Sequence, residues 1–172
     1  MPHPATIRSN VRVADEVWIA VASLHRKKPE APDFSIDDIM REAHILRIGG
    51  DVRPGVYVHV VQHCVANRPA NPANHRMLFE TASGRRRLFR IGDTVHPDRS
   101  NGRVSPALED LPTGFEDILD WYEEWTKRAR EVETEEDDPL LSLRGSGRHL
   151  WFSVQVEQVR YRWSRGHKLH LA

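Results

Sequence analysis

The chain has 172 residues, of which 39% are hydrophobic and 29% charged, as in a soluble protein with a buried core. No apolar run approaches the roughly 18 residues of a membrane span, and the opening MPHPATIRSN lacks the apolar segment of a secretory signal. The single cysteine, Cys64, excludes an internal disulfide and a thiolate-rich zinc site, so we expect a cytoplasmic protein.

The net charge is zero, but the charges are unevenly distributed along the chain. Residues 1–108 carry 16 Lys or Arg against 11 Asp or Glu, whereas residues 109–172 carry 9 against 14. A basic segment attracts polyanions, while an acidic one suits a solvated helix, self-association or mimicry of an anion. The two parts are therefore expected to have different partners.

Two amphipathic helices are predicted near the start of the chain. ADEVWIAVASLHRKKP repeats apolar residues at helical spacing and closes at Pro29. In DFSIDDIMREAHIL, Ser35 can cap a helix with Asp38 at its third position, and Phe34 and Ile39 can form the hydrophobic staple. The glycine pair that follows this second helix, GGD, is interpreted as its C-terminal cap.

The segment RPGVYVHVVQHCVAN fits two periodicities. Val56, Val58 and Val60 alternate as in a strand, and β-branched residues favour one. The helical pattern is longer and leaves a polar stripe on one face, formed by His59, Gln62, His63 and Asn67. Pro54 also suits a first helical turn, so the sequence predicts a third helix over roughly 54–66.

A hairpin is predicted after the turn-rich connector RPANPANH. RMLFET and RRLFRI are strand-like runs around the glycine turn ASGR, over residues 76–91, and a long loop, IGDTVHPDRSNGRVSPALEDLP, follows. Three helices followed by a two-stranded hairpin are the order of a winged helix-turn-helix. We therefore predict an α+β fold with a winged-helix domain over residues 1–110.

Residues 111–172 are predicted to form an acidic helical extension, a flexible connector and a strand-like tail. Thr113 and Glu116 have capping-box spacing ahead of an amphipathic helix. Its stripe of Trp121, Tyr122 and Trp125 is expected to pack on the core, with a homodimer seam through residues 115–126 as the alternative. The end, LWFSVQVEQVRYRW, alternates as a strand does, and its purpose is not legible from the sequence.

Two long motifs carry a resemblance to a known family. RPGVYVHVVQHCVANRPANP, HRMLFETASGRRRLFRIGDTVHPDR and the following EDLP resemble a prokaryotic family of small winged-helix domains of uncharacterised function. The resemblance covers roughly residues 10–125. It implies a winged-helix fold and DNA binding, and it implies no reaction.

Double-stranded DNA is the expected partner of such a domain. The third helix would enter the major groove with polar side chains on base edges, and the arginines of the hairpin would hold the phosphate backbone. We expect Arg85 at the tip of this wing and at least one of Arg86 and Arg87 free for phosphate; a solvated, arginine-rich hairpin is the alternative. The candidate DNA-binding residues are Arg53, His59, Gln62, His63, Asn67, Arg68, Arg76, Arg85, Arg86, Arg87 and Arg90.

Other chemistries find less support. His59 and His63 have a spacing that zinc sites use, but Cys64 points about 100° away and no glutamate lies between them. The loop acids Asp93, Asp98, Glu109 and Asp110 have no nuclease spacing, and no P-loop or GxSxG motif is present. We therefore predict a non-enzymatic DNA-binding protein without metal or cofactor, a transcriptional regulator or an accessory protein of DNA processing. A protein-interaction module (antitoxin-like or an accessory subunit) and a metal-dependent nucleic-acid enzyme stay open as alternatives.

Overall fold

The computed structural model describes residues 11–51 and 53–136, with side chains as far as Glu131. The chain divides into two compact units, Met1–Thr126 and Lys127–Ala172. Residues 127–136 are the described part of the second unit. The described residues form four helices and a three-stranded antiparallel sheet, an α+β arrangement compatible with the predicted winged-helix class. The elements are α1 (Val13–Lys27), β1 (Phe34–Ser35), α2 (Ile36–Leu46), α3 (Gly55–Val58, continued as a π-helix over His59–His63), β2 (Leu78–Ala82), β3 (Arg85–Leu88) and α4 (Ile118–Glu136).

The first helix, α1, is the centre of the first unit. Every residue from Ala14 to His25 is buried, because α2, α3 and β3 all pack around it. Two acids are buried with it and are held by arginines from elsewhere in the chain: Glu16 pairs with Arg53, and Asp15 lies 2.7 Å from Arg103. Burial is the largest influence on Asp15 and raises the pKa of its carboxyl.

The predicted cap of α2 is confirmed. Ser35 Oγ accepts a hydrogen bond from the Asp38 backbone N–H at 3.1 Å and donates to the Asp38 carboxylate at 2.6 Å. The predicted glycine cap at the other end is corrected. Arg47 itself adopts the left-handed conformation, with φ 48°, and its N–H reaches the Ala43 carbonyl. Gly50, at φ 89°, only continues the turn.

The third helix forms, and the strand interpretation of its valines is wrong. Val56, Val60 and Cys64 are fully buried in one apolar stripe. The last turn widens to π-helical, so the Cys64 N–H bonds back to the His59 carbonyl at 3.1 Å. Helix geometry ends at His63, three residues before the predicted end.

The sheet has the order β1-β3-β2 and includes a strand that periodicity did not reveal. The hairpin turns at Gly84, whose φ of 72° suits glycine, and Leu78 faces Leu88 across it. β1 has two residues, too few to alternate visibly, and Phe34 pairs with Arg86. β1 thereby ties the segment between α1 and α2 to the hairpin.

The long loop after the hairpin is compact and leads into α4. It contains two short 3₁₀ turns, Pro97–Arg99 and Leu108–Asp110, and Gly102 passes against the backbone of Asn74. α4 begins at Ile118, later than the sequence predicted, since Gly114 at φ 94° forms a turn with the Glu116 side chain.

The aromatic stripe of α4 packs on the core, as expected. Ile118 and Tyr122 are buried, the Trp18 and Tyr122 rings meet edge to face at 5.2 Å, and the Tyr122 hydroxyl donates to the Phe89 carbonyl at 2.6 Å. The predicted strand-like tail lies outside the described residues. No helix within those residues is long and apolar enough to cross a membrane.

Candidate nucleic-acid interface

The solvent-exposed face of α3 carries mainly apolar side chains. Tyr57 is 53% and Val58 is 42% exposed, and Val61 and Gln62 are partly exposed one turn later. At the start of the helix, Gly55 lies against the Val13 side chain of α1, which anchors this end. The outward face is therefore more apolar than the predicted polar stripe.

The polar side chains of the stripe bond within the protein. His59 Nδ1 is 2.9 Å from the Gly55 carbonyl, and the Gln62 side chain donates to the Pro69 carbonyl at 3.1 Å. The rings of His59 and His63 meet edge to face, 4.8 Å apart. Burial is the largest of the causes that lower the pKa of His63, followed by the nearby His59.

Asn67 and Arg68 connect the end of α3 to the hairpin. The Asn67 amide exchanges two hydrogen bonds with the Glu80 backbone, at 2.9 and 3.0 Å. The Arg68 guanidinium donates to both carboxylate oxygens of Glu80, at 2.5 and 2.7 Å. These hydrogen bonds from Arg68 are the largest cause that lowers the pKa of Glu80. Both residues thus fasten β2 to α3 and do not point to a partner.

The three arginines of GRRR have different surroundings. Arg85 is 47% exposed and donates to Asp33 at 2.5 Å, so it lies at the surface near the hairpin tip. Arg86 is 1% exposed and donates to Glu80 at 3.0 Å. Arg87 is 11% exposed and donates to both carboxylate oxygens of Asp93, at 2.6 and 2.7 Å.

The expectation that Arg86 or Arg87 is free for phosphate is therefore wrong. Side chains alternate along a strand, and Arg86 lies on the same face as buried Leu88, against the carbonyls of α3. Arg87 lies on the other face, where its guanidinium covers the ring of its cross-strand partner Phe79 at 4.6 Å. Only Arg85 of the three keeps a largely accessible side chain.

The remaining predicted arginines also have internal partners. Arg53 donates twice to one oxygen of Glu16, and Arg76 donates to the Gly102 carbonyl at 2.8 Å. The Arg90 guanidinium lies over the Trp125 ring at 4.6 Å. Each of the eleven predicted residues thus contacts another residue of the protein.

Sequence reasoning missed Arg99, which the structure places directly beneath the end of α3. Its side chain is fully buried and donates to backbone carbonyls on both sides of the α3 terminus. No sequence signal marks it, because HPDRSNGR reads as an ordinary polar loop. Two exposed arginines were also missed, Arg41 on α2 and Arg47 directly after it. They pair with the nearby Asp38 and Asp51.

Burial shifts the pKa of two further reactive side chains. Burial raises the pKa of the Cys64 thiol. It also lowers the pKa of His75 to about 4. Within residues 11–51 and 53–136, no group of three or more His, Cys, Asp or Glu side chains is placed to hold a metal ion. Comparison of the chain with protein-family models, with curated proteins and with solved structures finds no match.

Proposed function

We propose that this protein binds double-stranded DNA through a winged helix-turn-helix domain and that the exposed face of α3 meets the duplex. The observation that carries the proposal is topological. The elements follow the order α1, β1, α2, α3, β2, β3, and the sheet has the order β1-β3-β2. This order is compatible with a winged-helix domain, in which α2 and α3 would form the helix-turn-helix and the third helix would enter the major groove.

The side chains on the proposed contact face suit a mixed contact with DNA. Tyr57 and Val58 offer apolar surface for thymine methyl groups, and Gln62 offers an amide for a base edge. The Arg85 side chain is 47% exposed, so it can exchange its Asp33 partner for a phosphate, while Asp33 keeps the hydrogen bond from the Thr81 hydroxyl. The proposed role of the wing is thereby reduced to Arg85. A transcriptional regulator or an accessory protein of DNA processing fits such binding.

Neighbouring arginines of one strand provide a matched test. We would titrate a labelled duplex by fluorescence anisotropy over a range of salt for the wild type, Arg85→Met and Arg87→Met, after confirming that each is folded. A lost phosphate contact reduces the slope of log affinity against log salt by about 1. We expect this reduction for Arg85→Met and no change of slope for Arg87→Met, because Asp93 already holds the Arg87 guanidinium.

Two results would contradict the proposal at different levels. Absence of duplex affinity for the wild type at low salt would reject DNA binding altogether. Equal slopes for the wild type and Arg85→Met would reject the wing contact and leave α3 as the contact surface. Tyr57→Ala is then the decisive variant, expected to weaken binding without changing the slope, because its side chain carries no charge.

A protein-interaction module is the second candidate, and the apolar character of the same surface favours it. Tyr57 and Val58 are neighbours on α3 and are 53% and 42% exposed. Exposed apolar side chains that lie together mark protein interfaces. Co-purification of a defined partner that Val58→Glu releases, together with no duplex affinity at low salt, would establish this function in place of DNA binding.

A further inference from the structure

The C-terminal turn of α3 is capped in an unusual way. The last carbonyls of a helix have no intrahelical N–H partner and are commonly satisfied by a glycine cap or by water. In α3 guanidinium groups donate to four of these carbonyls, and the Gln62 carbonyl also accepts from the Val65 N–H. Arg86 donates to the carbonyls of Val60 and Val61, both at 3.3 Å, and Arg99 donates to those of the next two residues, Gln62 and His63, both at 2.8 Å.

Arg99 is saturated by backbone carbonyls. A guanidinium has five N–H donors, and all five of Arg99 are used over distances of 2.5 to 3.1 Å. The acceptors come from the end of α3, from the turn after it and from the segment before β2: Gln62, His63, Arg68, Pro69 and His75. None of the ion pairs between described residues includes Arg99, and its side chain is fully buried.

This arrangement separates Arg99 from any direct contact with a partner. A saturated and buried guanidinium has no N–H left for a phosphate or a base. It does, however, hold the backbone of Gln62 and the Pro69 carbonyl, to which the Gln62 side chain also donates. One buried side chain therefore determines both the path of the helix end and the direction of an amide on the proposed contact face.

We propose that Arg99 is a positioning residue for α3, which fixes the helix end and thereby the orientation of its DNA-binding face without touching the DNA. The change in duplex affinity that this inference predicts rests on the proposed function, DNA binding. Lysine cannot replace Arg99, since an ammonium presents three donors at one point and cannot reach five carbonyls in a plane.

Cys64 provides a local measurement that needs no DNA. It is the only cysteine of the chain, is fully buried and directly follows the last turn of α3, which Arg99 holds. A thiol reagent reaches such a residue only when the turn opens. We expect native Arg99→Lys to be modified about tenfold faster than wild type, the factor that loss of one charged hydrogen bond gives. The control is Arg26→Lys, which changes an exposed ion pair with Asp117 and should not alter the rate.

Duplex affinity then distinguishes positioning from mere support of the fold. Arg99→Lys conserves charge, so an electrostatic role predicts unchanged affinity. At a temperature where melting curves show complete folding, positioning predicts about tenfold weaker binding with an unchanged salt slope. Faster thiol modification of Arg99→Lys with unchanged duplex affinity would overturn the positioning role. If the thiol modification rate and the duplex affinity were both unchanged, the proposal that Arg99 holds the end of α3 would fall as well.

Failure of the proposed function would look different. If wild-type protein bound no duplex, DNA binding would fall, while the thiol rates would still decide whether Arg99 holds the turn. If Arg99→Lys did not fold, amide hydrogen exchange of the wild type would decide instead. The Cys64 and Val65 amides, bonded to the carbonyls of His59 and Gln62, should exchange only by global unfolding. Exchange by local opening would overturn the proposal that Arg99 holds the end of α3.

Discussion

Replacing Arg86 by methionine should destabilise the protein strongly, although the residue lies in an arginine-rich hairpin. Its guanidinium is 1% exposed and donates to Glu80, to its neighbour's carbonyl and to the carbonyls of Val60 and Val61. Burial is the main cause that lowers its pKa, which reflects the cost of keeping this charge away from water.

The expected loss of stability depends on which acceptors of Arg86 keep another hydrogen-bond donor. Breaking a buried ion pair costs about 3–5 kcal/mol when the other charge is left alone. Glu80 keeps both hydrogen bonds from Arg68, whereas the Val60 carbonyl loses the side-chain donor it has in this structure. We therefore expect a loss near the lower limit, about 3 kcal/mol, and a fall in Tm of about 12 °C for a unit of this size.

Thermal and urea unfolding followed by far-ultraviolet circular dichroism would measure the change. Arg85→Met is the matched control, since the Arg85 side chain is 47% exposed and an ion pair near the surface is worth about 1 kcal/mol or less. A Tm of Arg86→Met within about 4 °C of the wild type, or an equal loss for the two variants, would refute the reasoning. Either result would mean that the Arg86 guanidinium reaches water, as a phosphate-binding arginine must.

Three further predictions concern other buried groups. His25 is buried with its pKa lowered to about 4, so its stabilising contribution is complete above pH 6.5 and is lost as the pH falls towards 4. Urea unfolding near pH 5 should show a loss of about 2 kcal/mol. His25→Phe should flatten this pH dependence, and an unchanged profile would contradict the prediction. Gly102→Ala should lower Tm sharply, because the new Cβ would lie 1.9 Å from a backbone oxygen. Gly55→Ala meets only ordinary contacts at 3.7 Å and should stabilise α3 by about 0.5–1 kcal/mol. Equal melting temperatures of the two variants would contradict this contrast. Tyr122→Phe leaves a buried carbonyl without its 2.6 Å donor and should cost about 1–3 kcal/mol in urea unfolding, so an unchanged midpoint would show that the hydroxyl is dispensable.

Local patterns predicted most of the secondary structure. The Ser35 cap and the apolar stripe of α3 act within a few residues of the chain, so the sequence displays them directly. The turn at Gly84 is also local, since a positive φ favours glycine. The two-residue β1 escaped prediction because its pairing with Arg85 and Arg86 is set by residues about fifty positions away.

The roles of the arginines were decided by the tertiary structure. In sequence, GRRR is a cluster of three positive charges between two strand-like runs, which predicted a phosphate-binding wing. In the folded chain, Asp33, Glu80 and Asp93 each meet one of these arginines.

The amino-acid sequence by itself determined the helices and the hairpin, because backbone conformation follows from neighbouring residues. Only the tertiary structure decided which guanidiniums face solvent and that Arg99 lies under α3. The physical reason is that the environment of a charged side chain depends on how folding orients it and on the carboxylates and carbonyls that it then meets. Glu80 and Asp93 are near GRRR in the chain, whereas Asp33 and the carbonyls of α3 are distant.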